Sequence, residues 1–225
     1  MTRADDAAAA AQRLFPPGAE VAACLVGMAP RAFDSEQVAV AHAVPARRAE
    51  FAAGRAAVRR ALDALGLPPL AVPMAESRAP VWPSGLVGSI THADGLALAA
   101  VAPSRQCGAL GLDAEPDEPL PMDLLASVTR PEERRWVAAQ SDPGRAARMI
   151  FVAKEAAYKC QFPLSQSVIG FDAMRIAFGA GGRVEATFTV PVLPFLQGQR
   201  LTGRMTVAAG LVLAGFSLSA RADTA

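Results

Sequence analysis

The order of its helical and strand-like segments predicts an α+β fold in two lobes for this chain of 225 residues. Two long segments, 45–66 and 141–163, carry the capping residues and apolar spacing of helices. Short apolar runs typical of strands follow each helix, so the order is helix, strands, helix, strands. We therefore expect an N-terminal lobe over residues 1–108 and a C-terminal lobe over residues 109–225.

The N-terminal half is predicted to hold one long helix and one hairpin. Residues 1–17 are expected to be flexible, and the apolar run 22–28 is expected to form a strand. The helix begins at Pro45, which suits a first helical turn, and it ends at Gly66. A proline-rich loop follows, and then two apolar runs meet at Asp94-Gly95, a dipeptide typical of tight hairpin turns.

The C-terminal half is predicted to repeat this plan with more strands. Three short segments come first: a strand at 109–115, a surface loop at 116–130 and a short helix at 130–140. The second long helix is capped by Ser141 or Asp142, has Pro143 in its first turn and is expected to end at Pro163. The remaining apolar runs indicate antiparallel strands joined by glycine-rich turns.

The composition excludes several classes of function. The formal net charge is only +1, so no global field attracts nucleic acid or an acidic membrane. The three cysteines are far apart and form no CxxC pattern, which argues against a disulfide framework or a zinc site. The N-terminus lacks the pattern of a signal peptide, and the chain has no run of 18 strongly apolar residues. We expect a cytoplasmic protein with no nucleic-acid partner and no stable membrane insertion.

The segment GLDAE predicts a cation site. On a strand, Asp113 and Glu115 point to the same face, and two adjacent carboxylates repel unless they are solvated or bridged by a cation. Carboxylates with open positions suit Mg²⁺, which takes further oxygens from water and phosphate. The alternative is a strand end that frays into a polar loop.

The segment FVAKEAAYK contains the only two lysines among 22 basic residues, Lys154 and Lys159. Glu155 and Lys159 are spaced as an i,i+4 pair, so one interpretation is a surface ion pair that stabilises the helix. That interpretation does not explain why lysine replaces arginine at both positions. A compact ammonium suits a single phosphate oxygen, whereas the planar guanidinium suits two.

Two further groups could bind anions. Arg55 lies within the apolar stripe of the first long helix, next to Gly54, and a partly buried arginine needs an anion. Arg47 and Arg48 lie in the first turn of the same helix, where the helix dipole disfavours cations. Thr91 and His92 precede the hairpin turn. The alternatives are arginines that extend along an amphipathic helix and a structural histidine. Together with the carboxylates, these groups fit a polyphosphorylated substrate carrying a metal ion, without a P-loop or a Rossmann motif.

With these residues in view, the sequence resembles the 4′-phosphopantetheinyl transferases, and within the surfactin type most closely the branch of enterobactin synthase component D. The resemblance covers most of residues 45–163 and includes RRAEFAAGR, RAPVWPSGLVGSITH, GLDAE and FVAKEAAYK in the family's order. It implies a pseudo-dimer of two similar α+β lobes with coenzyme A in the cleft between them. It also implies transfer of the phosphopantetheine arm to a serine of a carrier protein, with release of adenosine 3′,5′-bisphosphate.

Carried over position by position, the resemblance implies roles for individual residues. The carboxylates Asp113, Glu115 and Glu155 would bind Mg²⁺, and Glu155 is also a candidate base. Lys154 and Lys159 would lie near the pyrophosphate, and Thr91 and His92 would hold the 3′-phosphate. The basic residues of the coenzyme site would be Arg47, Arg48, Arg55 and, beside the adenine, Arg78. Ala114 departs from the bulky aliphatic residue usual there, and Thr91 from the serine of close relatives.

Two other functions stay open at this stage. A non-catalytic relative would bind coenzyme A or a carrier protein without chemistry, although all the acidic and basic positions of the motifs are present. A Mg²⁺-dependent hydrolase of nucleotide diphosphates would need no carrier. We expect coenzyme A and an apo carrier protein of a peptide, siderophore, polyketide or fatty-acid synthase as partners, and a monomeric enzyme.

Overall fold

Two antiparallel sheets form the framework of the computed structural model, which describes residues 2–220. The first sheet has the strand order β1-β3-β2 and the second has the order β4-β8-β7-β6-β5. The strands are β1 Glu20–Leu25, β2 Leu86–Ala93, β3 Leu96–Pro103, β4 Cys107–Pro116, β5 Met174–Phe178, β6 Arg183–Phe188, β7 Arg200–Ala208 and β8 Leu211–Ser219. The predicted hairpin is confirmed, because β2 and β3 pair across Asp94 and Gly95, both with positive φ.

In the part of the chain that the structure describes, six α-helices accompany the sheets, and the two predicted long helices are among them. The helices are α1 Arg3–Gln12, α2 Asp34–Gln37, α3 Pro45–Ala64, α4 Leu125–Val128, α5 Pro131–Ala138 and α6 Pro143–Ser165. Short 3₁₀ turns lie at Val38–Val40, Met122–Leu124, Phe171–Ala173 and Ala180–Gly182. The α+β class is therefore confirmed. Within residues 2–220, no helix is long and apolar enough to cross a membrane.

Each long helix packs on one sheet, α3 on the first and α6 on the second. Glycine sets how closely α6 approaches β4: a Cβ on Gly111 would lie 2.0 Å from the carbonyl oxygen of Ala156 and 2.6 Å from the backbone nitrogen of Cys160. Only glycine therefore allows the helix to lie directly on the strand. This close contact brings Glu155 and Lys159 next to the carboxylates at the end of β4.

The two lobes share a hydrophobic core, which fixes their relative position. Leu98 of β3, Leu110 and Leu112 of β4 and Leu213 of β8 are fully buried in one cluster. The backbone N–H of Leu112 also donates to the hydroxyl of Ser89 on β2 at 2.9 Å. Because side chains of both halves build this core, the lobe boundary near residue 108 stays a prediction.

The N-terminal segment differs from the prediction. Residues 1–17 were expected to be flexible, but α1 is a helix whose cap, Thr2, exchanges hydrogen bonds with Asp5. Ala4, Ala7 and Ala11 recur at helical spacing and are buried against the shared core. Alanine carries too little apolar surface for this stripe to stand out in the sequence.

The end of α6 and the loop before α5 also differ from the prediction. Pro163 does not end α6, which continues to Ser165 and stops at Gln166 in the left-handed conformation. Proline removes one backbone hydrogen bond of the helix. Because Pro163 lies only two residues before the end of α6, this loss does not break the last turn. Within the predicted surface loop 116–130, the chain forms a 3₁₀ turn and α4.

Candidate active site

A cavity of about 340 Å³ lies between the lobes, with α3, β2 and the loop before β2 on one side and β4 and α6 on the other. All the predicted site residues except Arg48 and Lys154 line it. From the N-terminal lobe come Arg47, Arg55, Arg78, Thr91 and His92, and from the C-terminal lobe come Asp113, Glu115, Glu155 and Lys159. One wall of this cleft is therefore mainly basic and the opposite wall mainly acidic.

Asp113 is the buried centre of the acidic wall. Its Oδ1 accepts a hydrogen bond from Lys159 Nζ at 2.7 Å and from the hydroxyl of Thr91 at 3.0 Å. Its Oδ2 is buried and has no hydrogen-bond partner among residues 2–220. A buried carboxylate oxygen without a partner is costly, so this oxygen is available to a ligand.

The other two carboxylates share this environment. Burial raises the pKa of Glu115, and Asp113 raises it further, while Arg148 and Lys159 act in the opposite direction. Burial also raises the pKa of Glu155, again with Asp113 as the next cause. Arg148 Nη1 donates to Glu115 at 3.1 Å and covers one of its oxygens. The acidic wall therefore holds more negative charge than its own cations neutralise.

The donor set fits a magnesium ion only in combination with a substrate. Among residues 2–220, no group of three or more His, Cys, Asp or Glu side chains converges into a ready-made metal site. Mg²⁺ nevertheless commonly uses one or two carboxylates and takes its remaining oxygens from water and phosphate. The unpartnered Oδ2 of Asp113 is the oxygen that such an ion would satisfy.

Lys159 joins α6 to β4. Its ammonium donates to Asp113 at 2.7 Å and to the carbonyl oxygen of Leu112 at 3.3 Å. Within the described residues, its ion-pair partner is Asp113, not Glu155. The alternative interpretation of a helix-surface ion pair is therefore wrong, and Lys159 lies among the acidic residues of the cleft.

Arg55 is held rigidly in the basic wall. Only 5% of its surface is exposed, its Nε donates to the carbonyl oxygen of Val72 at 2.6 Å, and its guanidinium lies 4.1 Å from the centre of the Phe51 ring. Burial lowers its pKa to about 10, so it stays charged at neutral pH. Glu36, which is fully buried, accepts from the N–H of Val72 at 2.9 Å and so supports this contact.

Thr91 and His92 point to opposite faces of β2, as neighbouring strand residues must. The hydroxyl of Thr91 is bonded to Asp113, whereas His92 is exposed and its Nε2 lies 2.7 Å from Arg47 Nη1. The ring is still partly buried, which lowers the pKa of His92, and Glu50 acts in the opposite direction. The hydroxyl of Thr91 is thus directed to the acidic wall, and the expectation that Thr91 and His92 hold the same phosphate stays a prediction.

Arg48 and Lys154 lie outside the cleft. Arg48 is exposed and lines a separate groove on α3 with Arg31 and Val38. Lys154 is only 2% exposed, and its ammonium donates to Glu133 within the C-terminal lobe. Five residues along a helix correspond to a rotation of about 140°, so Lys154 and Lys159 cannot both face the cleft.

Sequence reasoning missed some residues of the cleft. Glu50 lies one turn after Arg47, and its Oε2 accepts from Arg47 Nη1 at 3.1 Å, so the helical spacing could have identified it. Phe151 and Met74 also line the cleft. No local pattern distinguishes these two from ordinary core residues.

Two sequence profiles match this chain in tandem. The profile of the 4′-phosphopantetheinyl transferase N-terminal domain matches residues 35–102, and that of the 4′-phosphopantetheinyl transferase superfamily matches residues 109–204. The chain belongs to the 4′-phosphopantetheinyl transferase family. The predicted family and enzyme class are thereby confirmed, and the tandem match agrees with two lobes of a pseudo-dimer.

Curated relatives support the same assignment. The 4′-phosphopantetheinyl transferase Svp of Streptomyces mobaraensis is 40% identical over 202 residues, which is 86% of this chain and 81% of Svp. Npt of Nocardia iowensis is 41% identical over 66% of this chain and 67% of its own. Enterobactin synthase component D of Salmonella typhi is 37% identical over 58% of this chain and 54% of its own. Enzymes of this family transfer phosphopantetheine from coenzyme A to carrier proteins.

Proposed function

We propose that this transferase moves the 4′-phosphopantetheine arm of coenzyme A to the serine hydroxyl of an apo carrier protein, depends on Mg²⁺ and releases adenosine 3′,5′-bisphosphate. The observation that carries the proposal is the setting of Asp113. One of its oxygens is fixed by Thr91 and Lys159, one from each lobe, and the other is buried without a partner among residues 2–220. Such an oxygen is prepared for a cation that arrives with its substrate.

The basic wall would bind the phosphates of coenzyme A that do not react. Arg55 is charged and preorganised by Val72 and Phe51, so it loses little conformational freedom when it binds an anion. Arg47 and Arg78 line the same cavity. His92 accepts from Arg47 in its neutral form, and a bound phosphate would favour its protonated form.

The acidic wall would serve the reaction itself. Asp113 and Glu115, with Glu155 as a third carboxylate, would hold Mg²⁺. When bound, this ion neutralises charge on the pyrophosphate oxygens. Lys159 is anchored to Asp113 and would place its ammonium on the same pyrophosphate.

Glu155 is the residue best placed to receive a proton. It lines the cleft and also the two pockets that adjoin it, so the hydroxyl of a second substrate can approach it from outside the coenzyme site. The serine oxygen forms a bond to the phosphorus, and its proton passes to Glu155. The bond from phosphorus to the bridging oxygen breaks, and adenosine 3′,5′-bisphosphate leaves with that oxygen.

The test is to incubate the protein with coenzyme A, Mg²⁺ and an apo carrier protein and to measure the intact mass of the carrier. We expect the mass to increase by one phosphopantetheinyl group, and the increase to be lost when EDTA replaces Mg²⁺. No increase with acyl, peptidyl and aryl carriers would contradict the proposal. Release of free phosphopantetheine without a carrier would indicate a hydrolase instead.

The relatives suggest the class of carrier. Because one of them is named enterobactin synthase component D, we propose carrier proteins of siderophore or other nonribosomal peptide synthesis as the first to test. Both walls of the cleft come from the same chain, so we also propose that the enzyme acts as a monomer.

A further inference from the structure

Lys154 is a charged residue of FVAKEAAYK that is turned away from the cleft, and it is buried. Its ammonium donates three hydrogen bonds: to the carbonyl oxygen of Val128 at 2.9 Å, to Glu133 Oε2 at 2.7 Å and to the carbonyl oxygen of Phe171 at 2.7 Å. These acceptors belong to the end of α4, to α5 and to the 3₁₀ turn before β5. All three protons of the ammonium are therefore used within the protein.

Glu133 extends this arrangement. It is 3% exposed, and its Oε2 also accepts from the N–H of Arg130 at 2.7 Å. Its Oε1 accepts from the N–H of Ile176 at 2.7 Å, so the same carboxylate holds the residue that caps α5 and the middle of β5. The ion pair of Lys154 and Glu133 thus joins α4, α5, α6 and β5 at one buried point.

Three acceptors that converge on one atom favour lysine over arginine. The lysine ammonium is a compact charge that donates in three directions from one nitrogen, whereas the guanidinium is a wide planar fork. A buried ion pair is weak evidence for stability as such, because well-packed apolar side chains often replace it without loss. An apolar pair could not donate hydrogen bonds to the carbonyl oxygens of Val128 and Phe171, as the Lys154 ammonium does.

Lys154 holds residues 169–171 through the carbonyl oxygen of Phe171, and we call these residues the attached segment. They form one wall of a second pocket, which we call the Phe171 pocket. Its volume is about 200 Å³, and it is lined by Lys154, Glu155, Tyr158, Ile169, Gly170, Phe171 and Met174. Glu155 lines both this pocket and the cleft. The ring of Phe171 packs on that of Phe151, with centroids 5.6 Å apart, and Phe151 lines the cleft. A shift of residues 169–171 would therefore change both cavities on either side of Glu155.

We propose that Lys154 is a positioning residue for phosphopantetheine transfer. It touches no substrate. It holds the backbone of Phe171 and the wall of the Phe171 pocket at a fixed distance from Glu155, and the ion pair with Glu133 keeps its ammonium in place. This inference rests on the proposed function, because the distance that matters is that between Glu155 and the reacting groups.

The test compares the double variant Lys154→Met/Glu133→Gln with the wild type. Removing both charges avoids leaving one buried charge alone, so the variant has a better prospect of folding than either single change. We expect kcat to fall roughly 10- to 100-fold, the scale of a displacement of about 1 Å at the reacting groups. The Kd for adenosine 3′,5′-bisphosphate, which reports on the cleft, should stay within about twofold of the wild type.

Leu201→Ala is the matched control. Leu201 is buried in the same lobe on β7, pairs with Ala186 of β6 and does not line the Phe171 pocket, so this change lowers the melting temperature without touching the attached segment. We expect it to keep wild-type kcat. If the double variant also kept wild-type kcat while folded, Lys154 would be a purely structural residue and the inference would be wrong. A wild-type enzyme that modifies no carrier would instead contradict the proposed function.

Hydrogen exchange provides a readout that is independent of activity. The backbone amides of residues 169–173 should exchange faster in the double variant than in the wild type, and not in Leu201→Ala. Equal exchange in the double variant and the wild type would overturn the inference even if kcat changed. Lys154→Arg should also show faster exchange and lower kcat, because the fork cannot meet three convergent acceptors, and wild-type values in both would contradict the argument from shape.

Discussion

The two lobes have the same plan and different chemistry. Each places a long helix on an antiparallel sheet, yet α3 and β2 contribute Arg47, Arg55 and His92, whereas β4 and α6 contribute the carboxylates. The hydrogen bond from Thr91 to Asp113 joins the two walls. We propose that the N-terminal wall binds the remote phosphates and that the C-terminal wall acts at the reacting phosphate. Changes in the first wall should raise KM, and changes in the second should lower kcat.

Asp113→Asn should have the largest effect. The change keeps the shape of the side chain and removes the charge that Lys159 and the proposed cation need, so we expect kcat to fall by at least about 10²-fold. The Kd for adenosine 3′,5′-bisphosphate should stay nearly unchanged. Asp117→Asn is a suitable control, because Asp117 pairs with Arg145 just beyond the same strand and outside the cleft. Near-normal turnover of Asp113→Asn in saturating Mg²⁺ would contradict the role of the acidic wall.

Lys159→Arg should be the next most harmful change, although it keeps the charge. Nζ of Lys159 fits between Asp113 and the carbonyl oxygen of Leu112, and a wider fork would displace either the carboxylate or the pyrophosphate. We expect kcat to fall roughly 10²-fold with little change in melting temperature. Both quantities can be measured on one preparation. Unchanged turnover would mean that Lys159 is only a structural ion pair.

His92→Gln tests the opposite wall and should have a smaller effect. A contact with a remote phosphate is nearly the same in the ground state and the transition state, so its loss raises KM and spares kcat. Because His92 is exposed, we expect an increase in KM of about tenfold, at the low end for a hydrogen bond to a charged group. Dephospho-coenzyme A should not distinguish this variant from the wild type. A fall in kcat with either substrate would assign His92 another role.

The pH dependence of coenzyme A binding should show the smallest effect, and it again concerns the basic wall. In the free protein, burial lowers the pKa of His92, so the ring is neutral at pH 7. A bound phosphate raises that pKa, and binding therefore takes up a proton in the window between the free and bound values. In this window the Kd for coenzyme A should increase with pH, by at most about tenfold per unit for one proton. Titration calorimetry at several pH values should show the slope for the wild type and no slope for His92→Gln.

Local periodicity in the sequence was sufficient to predict many of the helices and strands and several residues of the cleft. The alternation of GLDAE correctly placed Asp113 and Glu115 on the same side, and both line the cleft. Proline and glycine marked the ends of α3 within two residues, and Asp94-Gly95 marked the hairpin turn. Residue-level motifs also identified the family, because their order and spacing depend only on the sequence.

Two errors came from signals that are weak or ambiguous within a single segment. The alanine stripe of α1 buries little surface per residue, so the helix forms mainly because the shared core is there to cover it. Lys154 and Lys159 were assigned to the same pyrophosphate although the rotation of a helix separates them. The surroundings then decided their roles, since Lys154 meets three buried acceptors and Lys159 meets Asp113.

The sequence by itself determined the class of fold, the family, the acidic and basic residues and which of them share one face of a helix or strand. Only the tertiary structure decided that the hydroxyl of Thr91 bonds Asp113, that Oδ2 of Asp113 is left without a partner among residues 2–220, and that Lys154 faces the core of its lobe. The physical reason is that periodicity fixes directions within one element. Burial and hydrogen-bond partners depend on which other element packs against it, and the partners of Thr91 and Lys154 lie 17 or more residues away along this chain.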